Sequence, residues 1–371
     1  MSFIDIVHAM MQKVNTIAKE NNYNRYIKKH PVEKMFSILL FHQYMGLHNG
    51  RSLLLQLKYI LGIDKQSIPS QGELSKKLSY RLSVGLWEQL FRIYVGECGK
   101  CKNKKVKKIK QMIRIIDSSH FTATDSMKWA KHRKHKNGLK LHLVLNGSNI
   151  PQCFQLKNGN SSDRKSLTWA IQKGYTYIFD RGYNDYRMFC WIGQRGASFI
   201  TRAWSNIQYR TVRKRKVGSR QRDKGIISDN IVEVYQNRKT GEKALFRMIR
   251  FTFVDTNKRR QTFALLTNIN DMRSDDIAEL YRERWNIEIA FYWIKTFLKV
   301  NRWLSRTRHG VMIQVYSALI SYLLVLLAQM NDATPVRVLR DYVYPYSQLF
   351  MRIIFNSKYY KHSENILHFS G

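Results

Sequence analysis

Two aspartates directly follow short apolar segments that are typical of β-strands. Asp117 comes after Ile113-Arg-Ile-Ile116, and Asp180 comes after Tyr175-Thr-Tyr-Ile-Phe179. A carboxylate at the end of an apolar strand is held at the edge of a sheet, where α/β proteins collect their ligands. Only 26 of the 371 residues are acidic, so two acids in matching positions favour a shared chemical role. Each aspartate taken alone is also typical of a residue that caps a turn.

A third acid lies in a segment with helical periodicity. Four polar residues recur there at offsets of 0, 3, 7 and 14, namely Tyr281, Arg284, Glu288 and Lys295. At about 100° per residue these positions fall in one narrow stripe of a helix. Apolar residues fall on another face, namely Ile287, Ala290, Phe291, Ile294 and Leu298. A charged stripe is also typical of a solvated helix face, but a single acid among cations and aromatic residues favours a functional surface.

The three acids Asp117, Asp180 and Glu288 suit phosphoryl-transfer chemistry if the fold brings them together. Mg²⁺ binds carboxylate oxygens, usually one or two per ion, and keeps phosphate and water as further ligands. Two ions about 4 Å apart stabilise the attacking and leaving oxygens of an in-line displacement. Without metal the three carboxylates would repel a phosphodiester. We therefore expect two Mg²⁺ ions, with Mn²⁺ as a substitute, and Arg284 and Lys295 on neighbouring phosphates.

The spacing of the polar stripe resembles a known signature. Tyr-x2-Arg-x3-Glu-x6-Lys is similar to the Tyr-Arg-Glu-Lys (YREK) signature of DDE transposases of bacterial insertion sequences, in the group named after the fourth such element. Ile116-Asp-Ser-Ser119 is similar to that family's first-aspartate strand, and Asp180-Arg-Gly-Tyr183 to its second-aspartate motif. The resemblance covers roughly residues 110–330.

This resemblance implies a fold, an activity and partners. The fold would be an α/β, ribonuclease H-like catalytic domain with a β-rich insertion between the second aspartate and the glutamate. The activity would be metal-dependent cleavage at insertion-sequence ends and strand transfer into target DNA, known as cut-and-paste transposition. The three acids would bind metal and catalyse, and the other signature residues would position the DNA strand, namely Tyr281, Arg284 and Lys295. The partners would be double-stranded DNA, as terminal inverted repeats and as target, and a second copy of the chain in a homodimer.

The composition independently indicates a polyanionic partner. Lys and Arg number 64 against 26 acids, a formal charge of +38, while 44% of the residues are hydrophobic and supply a packed core. That apolar content excludes a disordered basic tail. A charge surplus of this size repels itself in the folded state, so nucleic acid is the first expected partner and an anionic membrane surface the second.

Cysteine content and one apolar segment bear on location. The four cysteines are too sparse for a disulfide framework, which favours a reducing, intracellular compartment. The resemblance implies a bacterial cytoplasm and association with the nucleoid. Residues 309–331 contain no Lys, Arg, Asp or Glu and are long enough to span a bilayer. Gln314, Ser317 and Ser321 interrupt them, and polar residues are costly at that depth. We therefore expect a buried helix and no membrane association.

The pattern along the chain predicts several regions. These are a helical N-terminal DNA-binding domain (1–110), a catalytic domain in two pieces (111–203 and 271–335), a β-rich insertion (204–270) and a C-terminal tail (336–371). Pro69-Ser-Gln-Gly-Glu73 is typical of a helix start, and the helix that follows is either the reading helix of a helix-turn-helix or an amphipathic bundle helix. Residues 166–173 are predicted to form a helix, and Asn146-Gly147 a turn.

Other functions remain open from the residues alone. A non-catalytic basic DNA-binding protein or repressor would need only the charge, and the basic runs 128–140 and 210–224 fit it equally well. A nuclease or resolvase on the same scaffold is a third interpretation. Phosphate contacts of this kind carry no sequence information. A DNA-binding protein would tolerate loss of the three acids and even bind DNA more tightly, whereas an enzyme would lose its activity.

Overall fold

The computed structural model describes residues 3–332 apart from 28, 48, 103–109, 111, 134–135, 164–166, 238–240, 255–259, 299 and 301. The predicted tail 336–371 therefore lies outside the described residues. Contacts within the chain define two compact units. The first comprises Met1–Lys105, Phe121–Leu139 and Phe291–Gly371, and the second Val106–His120 and Lys140–Ala290.

Helices form the N-terminal part of the chain, and strands dominate its centre. The helices are α1 (Phe3–Glu20), α2 (Val32–Met45), α3 (Gly50–Leu55), α4 (Gln71–Lys76), α5 (Val84–Lys102), α6 (Tyr186–Gln194), α7 (Ser219–Asp223), α8 (Ser274–Arg282), α9 (Trp285–Tyr292) and α10 (Arg308–Asp332). The strands are β1 (Ile113–Thr122), β2 (Lys131–Arg133), β3 (Lys136–Asn146), β4 (Pro151–Asn158), β5 (Thr176–Phe179), β6 (Ser198–Arg202), β7 (Tyr209–Lys214), β8 (Ile226–Asn237), β9 (Glu242–Val254) and β10 (Arg260–Thr267). Helices α3, α4 and α9 each continue into a π-helical turn, at Gln56–Ile60, Lys77–Arg81 and Trp293–Phe297.

The long helix α10 forms the centre of the first unit. It packs against α1, α2 and α5, and its side chains are buried on nearly all sides. The hydroxyl of Ser317 accepts a hydrogen bond from the indole of Trp87 at 2.8 Å, and the hydroxyls of Ser317 and Ser321 donate to carbonyls one turn earlier. Arg308–Met330 is long and apolar enough to cross a membrane, but most of it is buried within the protein, as expected for a core helix.

The contact-based division differs from the regions predicted from sequence. The prediction assigned 271–335 to the catalytic domain, whereas α10 belongs to the unit that contains α1–α5. The physical reason is that a helix apolar on all sides must be surrounded by other helices. The same unit confirms the predicted helix start, since the hydroxyl of Ser70 accepts a hydrogen bond from the amide of Glu73.

One basic residue of the helical segment after Pro69 points inward. The ammonium of Lys77 is buried and donates to the carbonyls of Lys29 and His30 at 3.0 and 2.9 Å. Ser75, Lys76 and Arg81 on the same segment are exposed. Lys77 thus holds the chain before α2 to the helix, and three neighbouring residues form its outer face.

The second unit is built on a mixed sheet. Its strands are ordered β3-β1-β5-β6-β10-β9-β8-β7, with β4 paired to β3. Strands β1, β5 and β6 are parallel, and β10 is antiparallel to β6. The strands from β7 to β10 run antiparallel to their neighbours. The region predicted as a β-rich insertion therefore supplies β7–β10, which extend the same sheet. In the first unit, β2 pairs with the start of β3.

Aromatic side chains pack against the strands that precede the acidic residues. Phe189 of α6 stacks on Phe199 of β6 with ring centroids 4.3 Å apart, and Phe179 at the end of β5 lies 6.3 Å from Phe199. Phe246 meets the Phe199 ring edge to face at 5.6 Å. Each such pair contributes about 0.5–1.5 kcal/mol beyond its buried area. Asp180, the residue after Phe179, therefore directly follows a rigidly packed strand.

One predicted helix is wrong and one predicted turn is confirmed. The described part of 166–173 forms turns, because the Tyr177 hydroxyl donates to the carbonyl of Ala170 at 2.7 Å and accepts from the amide of Gln172 at 2.8 Å. These bonds replace helical ones. The turn at Asn146-Gly147 is present, and the Asn146 side chain accepts from two backbone amides within it.

Candidate active site

The two aspartates lie side by side at one position of the sheet. The parallel register of β1 and β5 pairs Ile115 with Ile178, and both aspartates come two residues later, on adjacent strands about 4.8 Å apart. Asp180 directly follows the end of β5 as predicted. Asp117 lies inside β1, which continues to Thr122, so its predicted place at a strand end is wrong. The strand continues because it also pairs with β3.

Each aspartate is oriented by a nearby backbone amide. Asp117 Oδ1 accepts from the amide of Ser118 at 2.7 Å, and Asp180 Oδ1 accepts from the amide of Gly182 at 2.8 Å. Asp180 thereby starts the 3₁₀ turn Arg181–Tyr183. The turn-capping interpretation of Asp180 is thus correct, and it fixes the carboxylate in one direction.

The signature residues do not lie on one continuous helix. Helix α8 ends at Arg282 and α9 begins at Trp285, and i→i−3 bonds join them, such as the amide of Arg284 to the carbonyl of Tyr281 at 3.1 Å. Lys295 lies in the π-helical turn after α9. Because tight and widened turns change the number of residues per turn, the predicted single stripe from Tyr281 to Lys295 is wrong.

Arg284 and Glu288 form an ion pair. The guanidinium lies 2.7 Å from Glu288 Oε1, and the Arg284 side chain is only 17% exposed. Burial opposes the charge of Arg284, but the hydrogen bond to Glu288 together with Tyr281 and Asp117 raises the pKa of the guanidinium. Glu288 is therefore neutralised by a cation that itself stays charged.

The three acids share one electrostatic neighbourhood. Burial, together with the carboxylates of Asp180 and Glu288, raises the pKa of Asp117 to about 7, against the opposing effects of the Ser118 amide and Arg284. Burial also raises the pKa of Tyr281, whose phenol senses Asp180 and Arg284. The fold thus brings together five of the six predicted site residues within the second unit.

The sixth predicted residue, Lys295, belongs to the first unit. Its ammonium lies 5.2 Å from the centroid of the Phe121 ring, a cation–π contact within that unit. The side chain is exposed.

A cationic and aromatic cavity is lined by Arg181, the residue that follows Asp180. It has a volume of about 290 Å³. The guanidinium of Arg181 lies 5.7 Å from the ring of Trp204, and that of Arg202 lies 3.7 Å from the ring of Phe263. Trp204 is 41% exposed. Sequence reasoning missed Arg202, because an arginine at a strand end has no local signal, whereas Arg181 lies inside the Asp180-Arg-Gly-Tyr183 motif.

Comparison with known proteins identifies the family. The family described as Transposase DDE domain matches residues 108–324, which include the three acids and the three parallel strands. The chain belongs to the DDE transposase family. The transposase is 31% identical to y4zB of Sinorhizobium fredii, which is itself named as a candidate transposase. The matched 249 residues make up 67% of this chain and 68% of that one. It is 21% identical over 304 residues to a Geobacillus stearothermophilus protein named for insertion sequence element IS5377, covering 81% and 75% of the two chains.

Membership settles the class of activity. The transposase is an enzyme that acts on DNA, cleaving it and transferring strands, and DNA transposition is its function. The interpretation as a non-catalytic DNA-binding protein is not favoured. DDE transposases depend on divalent metal ions in general.

The carboxylates of Asp117, Asp180 and Glu288 are oxygen ligands of the kind that divalent cations bind. Burial raises the pKa of Asp117, and the carboxylates of Asp180 and Glu288 add to that rise, against the Ser118 amide and Arg284; a bound cation would remove the repulsion between the carboxylates. Among the described residues, no group of three His, Cys, Asp or Glu side chains lies close enough to hold an ion. The third carboxylate, that of Glu288, is paired with the guanidinium of Arg284.

Replacing Asp117 by Asn should stabilise the metal-free transposase at alkaline pH. The folded pKa of about 7 lies above the unfolded value of about 3.9. Ionisation of Asp117 is therefore unfavourable in the folded state. The stability of the wild-type protein should fall as pH rises from the unfolded pKa to the folded pKa. Relative to wild type, the free energy of unfolding of the Asn variant should be higher by on the order of 2 kcal/mol above pH 7 and unchanged near pH 4. Thermal melts in chelator across pH 4–9 measure the difference.

The exposed Asp223 of α7 provides the control for this measurement. Asp223→Asn should follow the wild-type stability at every pH. Equal melting temperatures of Asp117→Asn and wild-type protein at pH 8 would contradict the destabilising role of Asp117.

Proposed function

We propose that the transposase cuts DNA at the ends of its insertion sequence and joins them to a target, with Asp117, Asp180 and Glu288 as the catalytic acids. The observation that carries the proposal is the placement of the Asp117 carboxyl beside Asp180 and Glu288 and away from solvent, which raises its pKa. A buried acid with a perturbed pKa beside further acids is typical of an active site. The register that aligns Asp117 with Asp180 supports it.

The same three acids are proposed to hold two Mg²⁺ ions, for which Mn²⁺ substitutes. Bound there, the ions would offset the charge of the phosphodiester and stabilise the attacking and leaving oxygens. Glu288 would exchange its bond to Arg284 for a metal ion. Arg284 would then donate to a phosphate oxygen of the DNA, a contact that guanidinium geometry favours.

Three signature residues are proposed to position the DNA strand near the cut. They are Tyr281, Arg284 and Lys295. The raised pKa of Tyr281 keeps its phenol a neutral hydrogen-bond donor, and Arg284 and Lys295 supply positive charge. The cavity of Arg181, Arg202 and Trp204 offers guanidinium and indole surfaces to a strand that leaves Asp180, since unpaired bases stack on aromatic rings.

The finer assignment of the fold is also a proposal. We infer a ribonuclease H-like catalytic core for the strands β3, β1, β5 and β6, supported by the parallel β1, β5 and β6 and by the acids at their edge. The helices of residues 1–102 are proposed to bind the DNA ends. The spacing of the signature supports membership of the YREK group.

Assembly and location follow from the reaction. Cutting two ends of one element in a single event requires two active sites, so we propose a homodimer that pairs two DNA ends, working on the nucleoid in a bacterial cytoplasm. The charge of +38 supports a DNA-bound state, because counterion release favours binding of a basic protein to DNA.

Linear DNA that carries the terminal inverted repeats of the element provides the test. We expect purified protein to nick at the repeat ends with Mg²⁺ or Mn²⁺ and not with chelator, and to join the released ends to a supercoiled plasmid. DNA of the same length with scrambled repeats is the control. Cleavage without joining would favour a nuclease or resolvase, and equal cleavage in chelator would contradict the metal-dependent mechanism.

A further inference from the structure

An ion pair between a buried lysine and a partly exposed aspartate lies next to the strand that carries Asp117. Lys140 of β3 is only 6% exposed, and its ammonium lies 3.2 Å from Asp163 Oδ2 and donates to the carbonyl of Ser161 at 3.0 Å. Asp163 belongs to the turn that follows β4. The ion pair thus joins a residue of β3 to a residue of the turn after β4.

Ser118 connects this ion pair to Asp117. Its hydroxyl donates to Asp163 Oδ1 at 2.6 Å, and its backbone amide donates to Asp117 Oδ1 at 2.7 Å. One residue therefore makes a short hydrogen bond to each of two carboxylates. A continuous path runs from the Lys140 ammonium through Asp163 and Ser118 to Asp117.

Two other titratable side chains near Asp163 are neutral at pH 7, so the ammonium of Lys140 is its charged partner. His142 lies 3.8 Å from Asp163 Oδ1 and is 1% exposed, and burial lowers its pKa to about 4, so its ring is neutral at pH 7. Neither ring nitrogen of His142 has a hydrogen-bond partner among the described residues. Burial raises the pKa of Tyr183, whose phenol senses Asp117 and Asp163, so it too is neutral.

The arrangement is poorly explained by stability alone. Taking the Lys140 ammonium out of water costs free energy that its attraction to the partly exposed Asp163 roughly offsets, so the pair adds little net stability to the sheet. An ion pair with fixed geometry can, however, orient the side chains that are hydrogen-bonded to it. Carboxylates that bind metal ions are commonly oriented by such hydrogen-bonded partners, and loss of the partner weakens metal affinity by about 10–100-fold.

We propose that Ser118 and Asp163, anchored by Lys140, are positioning residues that hold the Asp117 carboxylate in its metal-binding orientation. The proposal rests on the function proposed above, in which Asp117 binds the divalent cation. Ser118 holds the backbone and side chain of β1 at the acid, and Asp163 fixes the rotamer of Ser118. Neither residue touches the DNA or the metal.

Mn²⁺ titration of the full chain, followed by water-proton relaxation, tests the proposal without measuring activity. We expect wild-type protein to bind Mn²⁺, Asp117→Asn to lose that binding, and Ser118→Ala and Asp163→Asn to bind about 10-fold more weakly. Ser118→Thr, which keeps the hydroxyl, should restore the affinity to near the wild-type value. Thermal melts of each variant report folding, and Asp163→Asn carries the test if Ser118→Ala fails to fold.

A matched control separates positioning from stability. Ser317→Ala removes another buried hydroxyl that makes two hydrogen bonds, in α10, and should lower the melting temperature without changing Mn²⁺ affinity. Wild-type affinity in folded Ser118→Ala and Asp163→Asn would overturn the positioning role alone. Wild-type binding unchanged by Asp117→Asn, or no binding at all, would overturn the proposed metal site and this inference with it.

Discussion

Transposase carrying Asp180→Asn or Glu288→Gln should bind DNA at least as tightly as wild type and lose cleavage by about 10³-fold or more. Charge stabilisation by metal ions at phosphorus is worth several kcal/mol, and each 1.4 kcal/mol corresponds to about tenfold in rate. DNA binding is retained because each change removes a negative charge that repels the phosphate backbone. Single-turnover nicking with Mg²⁺ measures the first effect, and fluorescence anisotropy of labelled DNA measures the second.

The two substitutions are chosen to spare the fold. Asn at 180 keeps an oxygen that accepts from the amide of Gly182, so the turn after β5 retains its cap. Gln at 288 keeps an oxygen for Arg284. Both variants should therefore melt close to wild type, so that lost cleavage cannot be attributed to unfolding.

Glu279→Gln is the matched control for this experiment. Glu279 is an exposed acid on α8, one turn before the junction that carries Arg284, and its loss should leave nicking unchanged. Cleavage within tenfold of wild type by Glu288→Gln protein would remove Glu288 from the catalytic set. The same result for Asp180→Asn would contradict the proposed site as a whole.

Local sequence signals predict the features that depend on neighbouring residues. Ser70 is recognisable as a cap because its hydroxyl and the amide of Glu73 are three residues apart. The turn at Asn146-Gly147 follows from side-chain bonds inside a single turn. Asp180 can be placed at the end of its strand because the apolar run 175–179 stops there.

Features that depend on distant partners have no such signal. Strand β1 continues past Asp117 through polar residues because β3 pairs with it, and no apolar run marks that continuation. The predicted helix at 166–173 is replaced by turns held by the Tyr177 hydroxyl. Asp163 has no local signal, since its partners Ser118 and Lys140 come from two separate strands.

The convergence of the acids lies between these two cases. Asp117 and Asp180 are each recognisable, but their adjacency comes from the parallel pairing of β1 with β5. Glu288 is singled out by spacing that assumes one helix, whereas the chain breaks between α8 and α9. The residue types and their order are readable from the sequence, and the geometry requires the fold.

Arg247→Met should lower the free energy of unfolding by about 3–5 kcal/mol, the typical cost of breaking a buried ion pair. Arg247 of β9 is 1% exposed and makes two hydrogen bonds to Asp229 of β8, at 2.9 and 2.7 Å. Without Arg247 the buried Asp229 keeps only the more distant Arg215, at 3.6 Å, among the cations that the described residues place near it. Urea unfolding followed by tryptophan fluorescence measures the loss.

An exposed ion pair in the same part of the sheet provides the control. Arg210 of β7 pairs with Glu233 of β8 at 3.2 Å, and the arginine is 71% exposed. Arg210→Met should change stability far less, because solvent screens exposed pairs. The double variant Asp229→Leu/Arg247→Met should lose less than the two single changes combined, since it leaves no buried charge from this pair. Additive losses would contradict a coupled pair.

The effect of Arg247 should extend to the active site. Its guanidinium also donates to the carbonyls of Ile269 and Met272, at 3.1 and 2.6 Å, in the segment between β10 and α8. Helix α8 carries Tyr281 and leads directly to Arg284 and Glu288. Arg247→Met protein should therefore cleave DNA more slowly than wild type even at temperatures where it is fully folded, while Arg210→Met protein should not. Equal nicking rates of the two folded variants would show that the ion pair supports the sheet without positioning the helix.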